Sequence, residues 1–282
     1  MNVFISVDME GATGVVHRDQ LMPGGHDYER ARRLLTRDVV AAATAALSVE
    51  EVLSVRICDG HGTMRNVLIE ELPDLCELVS GPASSKTLCQ SEGLDATFDA
   101  MILIGYHARA GARDAVLPHT WVGGLIHEIR VNDVVFGETA LNAAIAGEFD
   151  VPVVFMAGDV AACAEARASL GDDLLTYAVK RATGPLAAIC RPPVTTESEI
   201  RLGVLRGLTE GAERAPFKVP GPVDFRIVFH RRNQADKAAA QAGAERTGER
   251  EIAVRADTYL EAMQAAWACI EGAVHELPEW LT

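Results

Sequence analysis

The chain has 282 residues, long enough for one large domain with a smaller one beside it and for a core that needs no disulfide. Hydrophobic residues make up 49% and aromatics only 5%, a balance that suits helices packed closely on a parallel sheet. Lysine and arginine number 26 against 40 aspartates and glutamates, a formal net charge of −14 with no basic stripe, so nucleic acid is not an expected partner.

The N-terminus passes from Met1 directly into Asn2-Val3-Phe4-Ile5-Ser6-Val7 without a charged leader, and no apolar run is long enough to span a bilayer. Cys58, Cys76, Cys89, Cys163, Cys190 and Cys269 show no C-x-x-C spacing, and several sit in apolar segments. They read as reduced thiols, so the expected compartment is the cytoplasm, with no membrane association.

Along the first half, short β-branched runs alternate with helical patterns. Strands are expected over residues 2–7, 52–58, 77–80, 100–105, 126–131 and 153–157, and helices over 27–47, 138–146 and 161–170. In the first helix Tyr28, Ala31, Leu34, Leu35, Val39 and Ala42 repeat at helical spacing behind an acidic first turn. This alternation predicts an α/β fold, a mostly parallel sheet covered by helices in a large N-terminal domain. The breaker Arg191-Pro192-Pro193 places a boundary near residue 190, giving domains 1–190 and 191–282, the second a smaller α+β unit. Beyond it come an amphipathic stretch over 195–214, a turn-rich segment over 215–222, a strand over 224–230, a polar helix over 233–242, a strand over 251–255 and a helix over 259–274. Thr258 and Glu261 form a capping-box pattern at the start of that last helix.

The chemistry gathers at strand exits. Ser6-Val7-Asp8-Met9-Glu10-Gly11 sets two carboxylates two residues apart as the first strand meets a glycine turn, and alternation along an extended backbone would put both on one side. An isolated D-x-E more often caps a turn. Yet Cys58-Asp59-Gly60-His61-Gly62 and Gly105-Tyr106-His107-Ala108-Arg109 follow two further strands, and the carboxyl ends of parallel strands are where such sheets bind ligands. Glu138 then opens a helix after Gly137, a position that the helix dipole alone would favour. Taken together, three carboxylates and two imidazoles are a mixed oxygen and nitrogen set suited to two first-row divalent ions, zinc being the usual choice in hydrolases.

At these residues the sequence resembles the zinc D-aminopeptidases of the DppA type. The resemblance rests on Ser-Val-Asp-Met-Glu-Gly at 6–11, Gly-Tyr-His-Ala-Arg at 105–109, Gly-Glu-x-x-Leu-Asn at 137–142 and Val-Pro-Val-Val-x-Met-Ala-Gly-Asp at 151–159. These motifs occur in family order over the first 160 residues, and the C-terminal third matches loosely. The resemblance implies two zinc ions per subunit held by Asp8, Glu10, His61, His107 and Glu138, with Asp8 as the bridge. It also implies a catalytic role outside the metal shell for His119, although Leu117-Pro118-His119-Thr120 departs from the family's Met-Ser-His-Ser context.

Asn132 matches a family asparagine that either orients substrate or fixes a turn, and Arg109 either holds a substrate carboxylate or pairs with a nearby acid. His17, His26, His127, His230 and His275 match no motif, and His127 is expected to pack within a strand. The implied activity is removal of the N-terminal residue from short, D-amino-acid-containing peptides, in a ring-like homo-oligomer, a decamer. Two alternatives stand beside it: a metal amidase acting on amino-acid amides or L-peptides, and a non-catalytic peptide-binding protein of the same fold.

Overall fold

A computed structural model describes residues 1–211 and 214–274. Its first half follows the strand–helix alternation: β1 (Asn2–Val7), α1 (Tyr28–Leu47), β2 (Ser54–Asp59), β3 (Cys76–Val79) and β4 (Ala100–Tyr106). Then come β5 (Ile126–Val131), β6 (Val134–Phe136), α2 (Glu138–Glu148), β7 (Val153–Asp159), α3 (Val160–Leu170), β8 (Leu175–Gly184) and β9 (Ala187–Cys190). The remainder is α4 (Pro193–Glu210), β10 (Val223–Phe229), α5 (Arg232–Ala238), β11 (Ala244–Arg246), β12 (Glu251–Ala256) and α6 (Tyr259–Ala273).

Two sheets result. The larger runs β3-β2-β1-β4-β7-β8-β9 and is parallel except for the hairpin partner β9. The smaller runs β11-β12-β10-β5-β6 and is antiparallel throughout. Successive strand residues point to opposite faces, and the core divides accordingly. Val3, Ile5 and Val7 join Ile102 and Ile104 beneath α1 and α4, whereas Phe4, Met101 and Leu103 face the core shared with α2, β5, β10 and α6. Every residue of β4 and β7 is buried, as expected for interior strands covered on both sides.

Several elements depart from the sequence expectation, the short unexpected strands β6 and β11 among them. The strand over 126–131 is no part of the parallel sheet: β5 pairs antiparallel with β10, Phe225 opposite Val131. His127 therefore does not pack in a core; it is exposed, edge-on to His230 at 5.6 Å between ring centroids. The strands β8 and β9 were not expected at all. Their burial is patchy, with Val179 and Lys180 both buried between half-buried Ala178 and exposed Arg181, so no clean alternation marks them.

The expected division at residue 190 falls between β9 and α4. From before it, β5 and β6 join the second sheet; from after it, α4 packs on α1. Among the described residues no helix is long and apolar enough to cross a membrane.

Candidate metal centre

Because β1, β2 and β4 run parallel and adjacent, with Val7 opposite both Asp59 and Ile104, their carboxyl ends share one edge. There the β1 and β4 exits nearly touch. The Asp8 amide donates to the Ile104 carbonyl at 2.8 Å and the Gly11 amide to the Gly105 carbonyl at 2.7 Å. A β-carbon on Gly11 would lie 1.9 Å from the Tyr106 carbonyl oxygen, and one on Gly105, at φ +76°, 2.0 Å from that of Asp8. Only glycine fits at either position. Asp8 and Glu10 reach the same place through a tight turn, closed by the Ala12 amide on the Met9 carbonyl at 3.1 Å, rather than through strand alternation.

His61 rides on a loop organised by Asp59, whose carboxylate accepts from the amides of Asn66 at 2.5 Å and Val67 at 2.9 Å and from the Asn66 side chain at 2.9 Å. The His61 Nε2 lies 2.9 Å from the Leu21 carbonyl, which can only accept, so that nitrogen carries the proton. In the neutral ring the Nδ1 lone pair then faces Glu10 Oε2 at 2.9 Å and Asp8 Oδ1 at 3.4 Å. His107 is arranged in the mirror sense. Its Nδ1 donates to the Ala108 carbonyl at 3.0 Å, leaving Nε2 toward Asp8 Oδ2 at 3.1 Å and Glu138 Oε1 at 3.2 Å. Backbone carbonyls that fix the ring tautomer are the usual support of imidazole metal ligands.

Asp8 thus belongs to two donor groups at once, one with Glu10 and His61 through Oδ1, the other with His107 and Glu138 through Oδ2. All five residues are buried. With both rings neutral in these tautomers, Asp8 Oδ2, Glu10 Oε2 and His107 Nε2 are enclosed without a hydrogen-bond partner. Such groups are costly to bury unless something binds them, and bound cations would meet that need. The donor set of carboxylates and imidazoles fits zinc.

Without a metal, charge is settled among the groups themselves. Burial pushes the Asp8 carboxyl up, but hydrogen bonds and charge from His107 and His61 outweigh it and hold Asp8 well below its ordinary range. Burial likewise opposes charging of His61 and His107, yet Glu10 and Asp8 around the first and Glu138 and Asp8 around the second raise both well above normal.

His119 enters from the loop between β4 and β5. Its ring stacks on His107 at 4.0 Å and 7°, its Nδ1 donates to the Leu117 carbonyl at 2.9 Å, and its Nε2 stands 3.7 Å from Glu10 Oε1. This loop holds Asp114, Leu117 and Trp121 at φ 53°, 53° and 51°, a left-handed backbone rarely taken by such side chains and most often stored at functional sites.

A family model described as D-aminopeptidase, peptidase M55, matches residues 1–268. The chain belongs to that family. A D-aminopeptidase of Bacillus subtilis (strain 168) is 33% identical over 266 residues, spanning 94% of this chain and 95% of the relative. A solved structure described as the Zn-dependent D-aminopeptidase DppA from Bacillus subtilis, a self-compartmentalizing protease, superimposes with a TM-score of 0.92 at 31% identity. That match covers 97% of this chain and 98% of the other.

Within this M55 member the structure brings Asp8, Glu10, His61, His107, Glu138 and His119 together and leaves two expected residues outside the cluster. Asn132, at φ 49° in the β5–β6 turn, donates through its side chain to the Pro220 carbonyl at 3.0 Å and accepts from the Asp224 amide at 2.9 Å. That is turn fixing. Arg109 donates its amide to Glu165 Oε2 at 3.0 Å and its guanidinium to the Ala110 carbonyl at 3.0 Å, and it lines a separate cavity with Asn132. His275 lies outside the described residues.

The supporting polar groups were the part that sequence reasoning missed. Glu138 is held by the Trp121 amide at 2.6 Å and by the Gln90 side chain at 2.5 Å. Asn142, one turn along α2 from Glu138, donates to Gln90 Oε1 at 2.7 Å and accepts from Ser91 at 2.6 Å. The i, i+4 spacing of Glu138 and Asn142 was the available signal. Lys180 of β8 is buried with its ammonium on the carbonyls of Glu10 at 2.5 Å, Ala12 at 2.7 Å and Val15 at 2.5 Å, clamping the turn that carries Glu10. Burial lowers its pKa to about 8.

Asp38 of α1 clamps the same segment by accepting from the amide and hydroxyl of Thr13, both at 2.8 Å. Burial, the largest influence, pushes its pKa up to about 6, above the ordinary carboxylate range. A carboxyl raised in the folded state costs stability as pH climbs from its unfolded value to its folded one, here from about 4 to about 6, and the loss is complete above that window. Asp38→Asn should therefore gain on the wild type across this window, by at most about 3 kcal/mol. Urea unfolding of both zinc-saturated proteins at pH 4.5 and 7.5 measures it; a variant relatively weaker at pH 7.5 would mean that the charged carboxylate is the favoured form.

Proposed function

We propose that this chain is a zinc-dependent aminopeptidase that removes the N-terminal residue from short D-amino-acid-containing peptides, with two ions per subunit. The observation that carries it is Asp8, whose two oxygens face two separate imidazole–carboxylate groups. When bound, a zinc pair of this kind acidifies water toward a pKa of about 7 and polarises an amide carbonyl. Around it, His61, His107, Glu10 and Glu138 supply the donors, and the backbone carbonyls of Leu21 and Ala108 hold the two rings in the tautomers that expose their lone pairs.

His119 stands at the edge of the cluster with Nε2 3.7 Å from Glu10 Oε1 and its side chain 24% exposed, and in this reading it takes a proton from the attacking water and returns it to the leaving amine. The Glu10 carboxylate, whose Oε1 faces His119 at the edge of the cluster, suits a free substrate amine, which favours trimming at the N-terminus over internal cleavage. A D-preference and a self-compartmentalizing assembly follow the descriptions of the relatives, and the ring-like, decameric form is the one the family resemblance implies. The cytoplasm is the proposed compartment, in keeping with six free cysteines.

The test is paired. Elemental analysis of zinc-dialysed protein should approach two equivalents, and the loaded protein should cleave D-Ala-D-Ala well ahead of L-Ala-L-Ala. Well under one equivalent, or an L-preference, would overturn the reading.

A further inference from the structure

A cavity of about 640 Å³ opens beside the metal cluster, within the range that holds small ligands. It adjoins the site directly, since its lining residues Gln90 and Trp121 are the two that hold Glu138. Its far wall comes from α6 through Trp267, Ile270 and Glu271. Trp267 meets Trp121 edge-on, with ring centroids 5.3 Å apart at 87°, and Trp121 stacks on Phe225 of the second sheet at 6.4 Å and 10°. The wall is therefore braced and aromatic. Among the described residues no lysine, arginine or histidine lines the cavity, and its one charged lining residue is Glu271, which is exposed at the C-terminal end of α6.

We propose that α6 sets the substrate class. The indoles of Trp121 and Trp267, with Met64 and Ile270, seat a peptide residue adjoining the scissile bond, and Glu271 tunes its charge, so that apolar and basic side chains are taken and acidic ones rejected. Three physical effects agree. Apolar walls stabilise an apolar side chain by removing it from water. Indole faces attract cations, and a carboxylate at the rim attracts them further while repelling a substrate carboxylate. With no lining cation among the described residues, an acidic side chain would lose its hydration without a partner. This inference rests on the peptidase reading above, and the experiment separates the two.

The substrates are D-Ala-D-Xaa-NH2 and D-Xaa-D-Ala-NH2 with Xaa leucine, lysine or glutamate. At one of the two positions the wild type should prefer leucine and lysine over glutamate. In Glu271→Gln the lysine-to-glutamate ratio of kcat/KM should shrink by about fivefold, and in the wild type it should also shrink as salt rises. Trp267→Ala should lose about tenfold on the leucine peptide, through KM rather than kcat, with zinc content and circular dichroism kept. Glu271→Gln alters only an exposed side chain, so misfolding cannot imitate its effect. If the ratio is the same in Glu271→Gln and KM for the leucine peptide holds in Trp267→Ala, the role of α6 is overturned while the peptidase reading stands. If fully loaded wild type cleaves none of the six peptides, both fall.

Discussion

Asp8→Asn is expected to bind at most one zinc ion per chain and to lose at least ~10³ in kcat/KM, more than the 10–100-fold typical of losing an outer support for a metal ligand. The substitution keeps shape and volume, so packing at the end of β1 is preserved. What it removes is the second anionic oxygen. Oδ1 faces His61 and Oδ2 faces His107, and an amide offers one oxygen lone-pair donor where the carboxylate offers two. One of the two positions therefore loses a ligand and a charge together, in a buried setting where neither is replaced by water. Elemental analysis beside activity decides it. Two retained equivalents would mean that Asp8 is not the bridge, and Glu10, which also lies between two donor groups, would be next in line.

The cluster was legible because parallel strands impose a shared edge. Once Val7, Asp59 and Tyr106 end neighbouring strands, the polar residues just beyond them have one place to go. Glycine marked the exits for a reason visible only in three dimensions: Gly11 and Gly105 let two backbones approach within hydrogen-bond distance. The convergence of Asp8 and Glu10 was anticipated on the wrong ground, as strand alternation, where a turn does the work.

What stayed hidden depended on contacts distant in sequence. Asn132 looks like a site residue beside the motifs, yet its amide serves backbone groups 88 and 92 residues away, which no local pattern announces. The partner of β5 is β10, and a strand's own sequence does not name its neighbour. Lys180 in a weakly patterned strand gave no reason to expect an ammonium on three carbonyls of the Glu10 turn. Such buried clamps are found by accounting for every buried polar group, and that accounting needs the fold.

His119→Ala should keep both zinc ions while kcat falls by about 10²–10⁴ and KM changes little, the usual consequence of removing a positioned proton-transfer group. The geometry sets up a real contest. His119 Nε2 is within 3.7 Å of Glu10 Oε1 and forms a third possible donor group with Glu10 and His107, so a ligand role is chemically open to it. Against that stand the stacking of its ring face to face on His107 and an exposure of 24%, where His61 and His107 have 8% and 1%. A ligand is enclosed by its ion, whereas a proton carrier must meet both substrate and solvent. The two roles predict different losses. If zinc falls with activity in His119→Ala, the histidine is a ligand, and the assignment of Glu10 or Glu138 must be revised. If zinc stays and kcat is unchanged on D-Ala-D-Ala, the proton passes by another route, and the strained loop from Asp114 to Trp121 serves chiefly to bring the Trp121 amide to Glu138.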